Sequence, residues 1–347
     1  MTEQSTGLQL GLDTFGDVTV DDDGRPVPQP QVLRDLVEQG VLADRVGVDH
    51  IGLGEHHRAD FAVSAPDVVL AGIATRTERI LLGSSVTVLS SDDPLRVFQR
   101  FSTVDALSDG RATVTVGRGS FVESFGLFGF DLADYEKLFE EKLDLLAAAR
   151  TGGPFDWAGT IRPPLTGQRV YPAPASGRLP VWVGVGGSPE SVVRTARHGL
   201  PMVLAIIGGS SARFAPYADL FRRATAEFGV GELPVGVHSP GFVAETDDEA
   251  RELLFPHFKA NRDRIGAERG WGPMTRAQYD DEIENGALYV GSPETVAAKL
   301  VETLKVLGAR RFDLKYANGP MPHRQLMRCI ELYGTEVVPR VRAALGE

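Results

Sequence analysis

Eight short apolar runs, each followed by a segment with helical periodicity, limit what this chain can fold into more than any other feature. The runs fall at residues 8–15, 49–56, 80–89, 112–117, 180–186, 201–207, 235–244 and 311–317. The clearest intervening helix is 94–107, where Leu95, Phe98, Phe101, Val104 and Leu107 recur every three residues. Asp93 precedes it as a helix cap, Pro94 suits its first turn, and Gly110 follows closely. Strict alternation implies parallel strands. Eight is the number that closes a (β/α)₈ TIM barrel, here one domain over residues 1–347. A doubly wound sheet is the competing fold, and it would want Gly-x-Gly-x-x-Gly after the first strand. That strand ends Asp13-Thr14-Phe15-Gly16-Asp17 instead.

A net charge of -11 argues against nucleic acid or an anionic membrane as the main partner. It leaves room for a phosphate ligand, since one arginine and a few backbone amides bind phosphate locally. No apolar run nears the roughly 20 residues of a membrane helix. Residues 1–8 are polar, without a signal-peptide core, and one cysteine leaves no internal disulfide to form, so a reducing, cytoplasmic location is expected. The single cysteine, Cys329, lies in an apolar helical stretch and reads as core. The acidic triplet Asp21 to Asp23 reads as solvated surface. Residues 246–288 form an insertion after the seventh strand, with its own helical stretch and a Gly270-Trp271-Gly272-Pro273 break. Such insertions sit over a barrel's active-site mouth, so a lid is one reading and an excursion packed on the barrel side the other.

Function in a barrel collects where strands end. The second strand ends Gly52-Leu53-Gly54-Glu55-His56-His57. Alternation puts His50, Gly52, Gly54 and His56 on one face, and Ile51, Leu53, Glu55 and His57 on the other. The glycine face suits the barrel interior, which aims His56 at the cavity as an acid/base candidate; a structural histidine is the alternative. Adjacent His56 and His57 point apart and are poorly placed to share a metal ion, and no metal site is expected. The third strand carries small residues at Gly83, Ser84 and Ser85, where a flat ring could lie against backbone or the interior could be crowded. The fourth ends Gly117-Arg118-Gly119-Ser120, an arginine with free backbone approach that suits a phosphate or a surface ion pair. The fifth ends Gly186-Gly187-Ser188-Pro189-Glu190: glycines before a helix start, with Ser188 as cap, form an anion cradle. Gly291-Ser292-Pro293-Glu294 repeats that cap without the glycine pair. The sixth strand ends on another bare rim, Gly208-Gly209-Ser210.

Gly54-Glu55-His56-His57, residues 80–94, Leu107-Ser108-Asp109-Gly110-Arg111 leading to Gly117-Arg118-Gly119, and Pro180-Val181-Trp182-Val183 through Gly199-Leu200-Pro201-Met202 together resemble the bacterial luciferase family of flavin-dependent monooxygenases. The opening Gly11-Leu12-Asp13-Thr14-Phe15-Gly16-Asp17 is similar to a subgroup known only as probable oxidoreductases. The resemblance implies FMN at the barrel mouth, reduced by a separate flavin reductase, and O₂-dependent oxygenation of a small organic substrate. It implies His56 as catalytic histidine and Arg118 on the FMN phosphate, with Gly186, Gly187 and Ser188 as the adjacent phosphate loop. Ser84-Ser85 matches the position of a cis peptide bond under the flavin ring; Gly208 and Gly209 join the expected cofactor rim. It also implies a homodimer through helices of the second and third units. Two alternatives stand beside it: a hydride-transferring reductase using the deazaflavin F420, and a flavin-binding protein without turnover. Gly117 stands where light-emitting members carry a reactive cysteine, and Gly186, Gly187 and Glu190 replace acidic and hydroxyl groups of their phosphate loop. Light emission and an aldehyde substrate are therefore not carried over.

Overall fold

The structure is a computed structural model that describes residues 7–119 and 121–347. Eight parallel strands close on themselves: β1 (Gln9–Thr14), β2 (His50–Leu53), β3 (Leu81–Ser84), β4 (Ala112–Gly117), β5 (Val181–Val185), β6 (Met202–Ala205), β7 (Val235–Val243) and β8 (Arg311–Lys315). Each pairs with the next in chain order, and β8 pairs with β1 through Gln9↔Arg311 to Asp13↔Lys315. The barrel is thus the expected (β/α)₈ fold. The third apolar run divides into β3 and a short strand at Thr87–Val88.

Helices α1 (Gln29–Arg45), α2 (Pro66–Ala74), α3 (Pro94–Leu107), α4 (Glu123–Phe128), α5 (Tyr135–Ala149), α6 (Pro189–Arg197) and α7 (Ala215–Glu227) follow the first six strands. Asp93 caps α3 by accepting from the Leu95 and Arg96 amides, and Pro94 takes its first turn. Val97, Phe98, Phe101 and Val104 of α3 are buried in the core, while Leu107 is half exposed. Packing on the barrel therefore accounts for most of the apolar pattern of this helix. The insertion holds two helices, α8 (Asp247–Arg269) and α9 (Arg276–Glu284). A short strand, Tyr289–Gly291, then pairs with the end of β7. Helices α10 (Pro293–Leu307), α11 (His323–Leu332) and α12 (Val338–Leu345) complete the chain. Cys329 is fully buried, and burial pushes its thiol up to about 12, as a core residue requires.

Parallel strands covered on both faces usually read as apolar throughout, and barrel interiors usually hold Val, Ile and Leu. Here the helix-facing residues obey that rule, with Leu10, Leu12, Ile51, Leu53, Phe312 and Leu314 in the core. The inward set is different: Gly11, Asp13, His50, Gly52, Gly83, Trp182, Gly236, His238, Arg311 and Asp313. Arg311 donates from Nε to Asp313 Oδ2 at 2.7 Å and lies over the Trp182 ring, 4.9 Å from its centroid. His50 Nδ1 meets Asp313 Oδ1 at 3.0 Å. All three charged or titratable groups have at most 1% of their surface exposed. Glycine makes the room: a Cβ on Gly11 would sit 2.2 Å from Asp313 Oδ1, and one on Gly83 would sit 2.5 Å from His50 Nε2.

Burial, then the neighbouring Arg311 charge, holds the His50 pKa below the ordinary imidazole range. For Asp313 burial works upward, but Arg311 and His50 outweigh it and keep the carboxyl well below its usual range. Both shifts mean the unfolded chain binds more protons in acid. The cluster's contribution is complete above about pH 6.5 and is lost as pH falls, first through the His50 window and then from about pH 4 downward, where the unfolded chain's carboxyl binds a proton that the folded Asp313 still refuses. Removing one partner of a buried ion pair costs about 3–5 kcal/mol. Arg311→Met is expected to lower the urea-unfolding free energy at pH 7 by that amount, and a loss under 1 kcal/mol would show that the barrel centre is wet.

Candidate active site at the barrel mouth

His56 lies three residues beyond the end of β2, where the alternation of Gly52 and Gly54 carries it to the inner rim. Glycine is required below it: a Cβ on Gly54 would meet the Ser85 carbonyl oxygen and the Phe15 ring at 2.5 Å. The His56 ring is walled by Phe61 (4.4 Å between centroids), Phe121 (4.9 Å) and Phe15 (5.1 Å). Its Nδ1 faces Glu123 Oε1 at 3.4 Å, and the His57 amide donates to the same oxygen. Burial would raise the Glu123 pKa, but the hydrogen bond from His56 outweighs it and holds the carboxylate down. His57 turns the other way. Its Nε2 lies 3.7 Å from Glu55 Oε1 beside the Phe128 ring, and the Glu55 bond raises its pKa.

Ser84 and Ser85 have separate fates. Ser84 Oγ donates to the Thr115 carbonyl and accepts from the Thr115 amide, so its hydroxyl is consumed in joining β3 to β4. Ser85 points inward and donates to Asp13 Oδ2 at 2.9 Å. The non-proline cis bond is Ser85–Val86, one residue after the expected position. His238 Nδ1 meets the same Asp13 oxygen at 2.5 Å. Asp13 and His238 escaped the sequence reading. The available signal was that Asp13 shares the inward face of its strand with Gly11, a charge where a core residue belongs.

Arg118 leaves the end of β4 over the Tyr135 ring and pairs with Glu136 of α5. Arg194 of α6 reaches the other Glu136 oxygen at 3.1 Å and also pairs with Glu140. One carboxylate thus sits between two guanidinium groups. Nearby, Ser188 caps α6 by accepting from the Ser191 amide at 3.2 Å, and Pro189 begins the helix. Gly187 has φ +100°, which only glycine adopts freely, and a Cβ on Gly186 would meet nothing within 4 Å. Glu190 is exposed and lines a groove of about 500 Å³ on the flank of α6, with Glu140, Arg194 and Arg197. Gly208 and Gly209 are not part of this group. The Gly209 amide donates to Glu282 of α9 at 3.2 Å, so an acid already occupies the donor expected for the cofactor rim. Ser120, the last residue of the arginine motif, lies outside the described residues, as do residues 1–6.

The insertion reaches the His56 wall. Arg58, just after β2, pairs with Glu268 of α8, and Arg264 of α8 pairs with Asp60 at 2.8 Å. Arg264 lies over Phe61 and Arg269 over Phe121. Sequence reasoning missed Glu123, Phe61, Phe121 and Glu136, which reach the rim from loops and helices whose approach no strand periodicity reveals.

Among sequence relatives, the chain is 28% identical to the alkanal monooxygenase alpha chain of Photobacterium leiognathi, over 90% of this chain and 94% of that one. Two solved structures share its fold. The oxygenating constituent of 3,6-diketocamphane monooxygenase from Pseudomonas putida, in complex with FMN, has a TM-score of 0.77 and 17% identity over 97% of this chain and 99% of that one. An F420-dependent secondary alcohol dehydrogenase has a TM-score of 0.74 and 16% identity over 97% and 100%. The family model for luciferase-like monooxygenases matches residues 14–311. A match of that extent, on a closed parallel barrel with its histidine at the expected strand end, means that the chain belongs to the luciferase-like monooxygenase family.

Proposed function

We propose that this protein is an FMN-dependent monooxygenase that uses reduced flavin and O₂ on a small organic substrate. The observation that carries the reading is the pairing of two unlike sites on one rim. One is a histidine–carboxylate pair in an aromatic wall; the other is an arginine beside a glycine-flanked helix start. The FMN phosphate would lie against Arg118, the Gly186-Gly187 backbone and the start of α6, where amides and helix dipole favour an anion. It would take the place that Glu136 now holds on Arg118. Reduced FMN, delivered by a flavin reductase, would supply the activation of O₂. The chain's own part is to keep water out with Phe15, Phe61 and Phe121, to hold α8 across the rim as a lid, and to move a proton through His56.

The flank beyond the phosphate position favours FMN over F420. Arg118, Arg194 and Arg197 there are paired with Glu136 and Glu140, and Glu190 lines the same flank, so three carboxylates offset three guanidinium groups where the longer anionic tail of F420 would lie. The absorption spectrum and mass of cofactor extracted from the purified protein decide between the two. Bound F420 would move the reading to hydride transfer, and absence of any flavin would defeat both.

Arg118→Ala is expected to weaken FMN binding by about 1.5–3 kcal/mol, the range for a hydrogen bond to a charged group. Riboflavin, which lacks the phosphate, should bind the variant and the parent equally. Unchanged FMN affinity by fluorescence titration would remove Arg118 from the phosphate site.

His56→Ala should keep the fold and FMN affinity while O₂-dependent turnover drops by roughly 10²–10⁴-fold. His57 is the control, because it is half-buried against Glu55 and Phe128 on the opposite face. His57→Ala should lower the melting temperature more than it lowers turnover. Equal catalytic losses in the two variants would contradict the facing assignment.

A further inference from the structure

Two polar layers fill the barrel centre, and they differ in completeness. In the lower layer both Asp313 oxygens are bonded, to Arg311 and His50, and the group is sealed. In the upper layer Asp13 is also fully buried, and its Oδ2 takes both His238 Nδ1 and Ser85 Oγ. Its Oδ1 is buried with no partner. His238 keeps 9% of its side chain exposed, and the Asp13 bond leaves Nε2 as its uncommitted ring nitrogen. An unsatisfied buried oxygen is costly, and a purely structural pair gains nothing by keeping one. Around the upper layer the β2 side is filled, with a Cβ on Gly52 2.9 Å from Ser85 Cβ and 3.2 Å from Asp13 Cβ, while the β5 side of the mouth is open. A Cβ on Gly184 would meet only Val86 Cγ1 at 3.2 Å and the Val116 carbonyl at 3.7 Å, and Gly186 is open. The His238 ring stacks on Phe15 (6.0 Å, 15° between planes), and Phe15 meets His56 edge-on.

We infer that Asp13 and His238 form a second histidine–carboxylate pair on the mouth floor, where His238 Nε2 accepts the proton of a hydroxyl-bearing substrate. This rests on the monooxygenase reading above. Asp13 is the positioning residue: by accepting from Nδ1–H it fixes the tautomer that leaves the Nε2 lone pair free, and it stabilises the imidazolium that forms. The step is balanced within the pocket. The substrate O–H bond breaks, an N–H bond forms at Nε2, and the substrate is left as an oxyanion. Asp13 Oδ1 is the second acceptor, available to a further donor on the same substrate. Ser85 holds the carboxylate from the β3 side. The other charged or titratable groups near His238 are Asp313, its register partner on β8, His50 below, Lys315 with its partner Asp17 beside Phe15, and His56 beyond that ring.

The test uses the full chain loaded with FMN and labelled with ¹⁵N-histidine, with phenol as the hydroxyl probe and anisole as its methylated control. His238 should show the tautomer with the proton on Nδ1 and Nε2 bare. Phenol should move its Nε2 resonance and anisole should not. In Asp13→Asn the preference for the Nδ1-protonated tautomer should be lost, because the acceptor that fixes it is gone. FMN affinity, read by fluorescence, should stay within about twofold, as neither residue is placed on the phosphate. If Asp13→Asn does not fold, His238→Gln gives the same reading, since phenol should then bind about tenfold more weakly at unchanged FMN affinity. A His238 Nε2 resonance that ignores phenol, or phenol binding unchanged in His238→Gln, overturns the pair as a proton acceptor. Failure of the parent protein to bind FMN is a separate result and strikes the monooxygenase reading instead.

Discussion

The buried ion cluster of Arg311, Asp313 and His50 is the constraint on which the rest of the structure depends. A charge inside a closed barrel is tolerated only when paired and hydrogen-bonded, because bringing it out of water costs several kcal/mol per ion. Pairing fixes which strands face one another, since β8 supplies the arginine and carboxylate and β2 supplies the imidazole. It also fixes where side chains must vanish. Gly11 and Gly83 exist as glycine because the cluster occupies their Cβ positions. A centre filled by polar groups of set geometry leaves little freedom to the layer above.

That upper layer is where structure passes into chemistry. Asp13, Ser85 and His238 stand on the same inward rows as the sealed cluster, one step nearer the mouth. Phe15 then separates His238 from His56, so two imidazoles, each tied to a carboxylate, border one aromatic ring. The opposite side of the rim is of another kind, with Arg118, a positive-φ glycine and a capped helix start. One end is suited to an anion and the other to proton movement near apolar walls. Such polarity across the mouth would suit the proposed cofactor, long and flat with a charged tail.

Much of this was legible in the sequence. Eight alternating runs gave the barrel, the period of two along β2 put His56 and His57 on opposite faces, and Ser188-Pro189 marked the start of α6. These features are local, and local periodicity carries them. The errors have a common physical source. Gly208 and Gly209 read as a bare rim, but Glu282 arrives from the insertion, over seventy residues away, to bond the Gly209 amide. Ser84 read as a ligand-facing serine, but it stands on the outward row and is spent on Thr115. Glu123 and Glu136 come from helices whose entry angle depends on tertiary packing. The alternating charges of β8, Arg311, Asp313 and Lys315, were open to the same reasoning as β2; they mark an inward polar row.

The central claim is that the mouth is built for a flavin whose phosphate replaces Glu136 on Arg118. A crystal structure of the protein soaked with FMN tests it most directly. The account predicts the phosphate within hydrogen-bond distance of Arg118 and the first turn of α6, with Arg118 released from Glu136 and the ring between Gly186 and Ser85. Density for FMN elsewhere on the barrel, with Arg118 still held by Glu136, would contradict it.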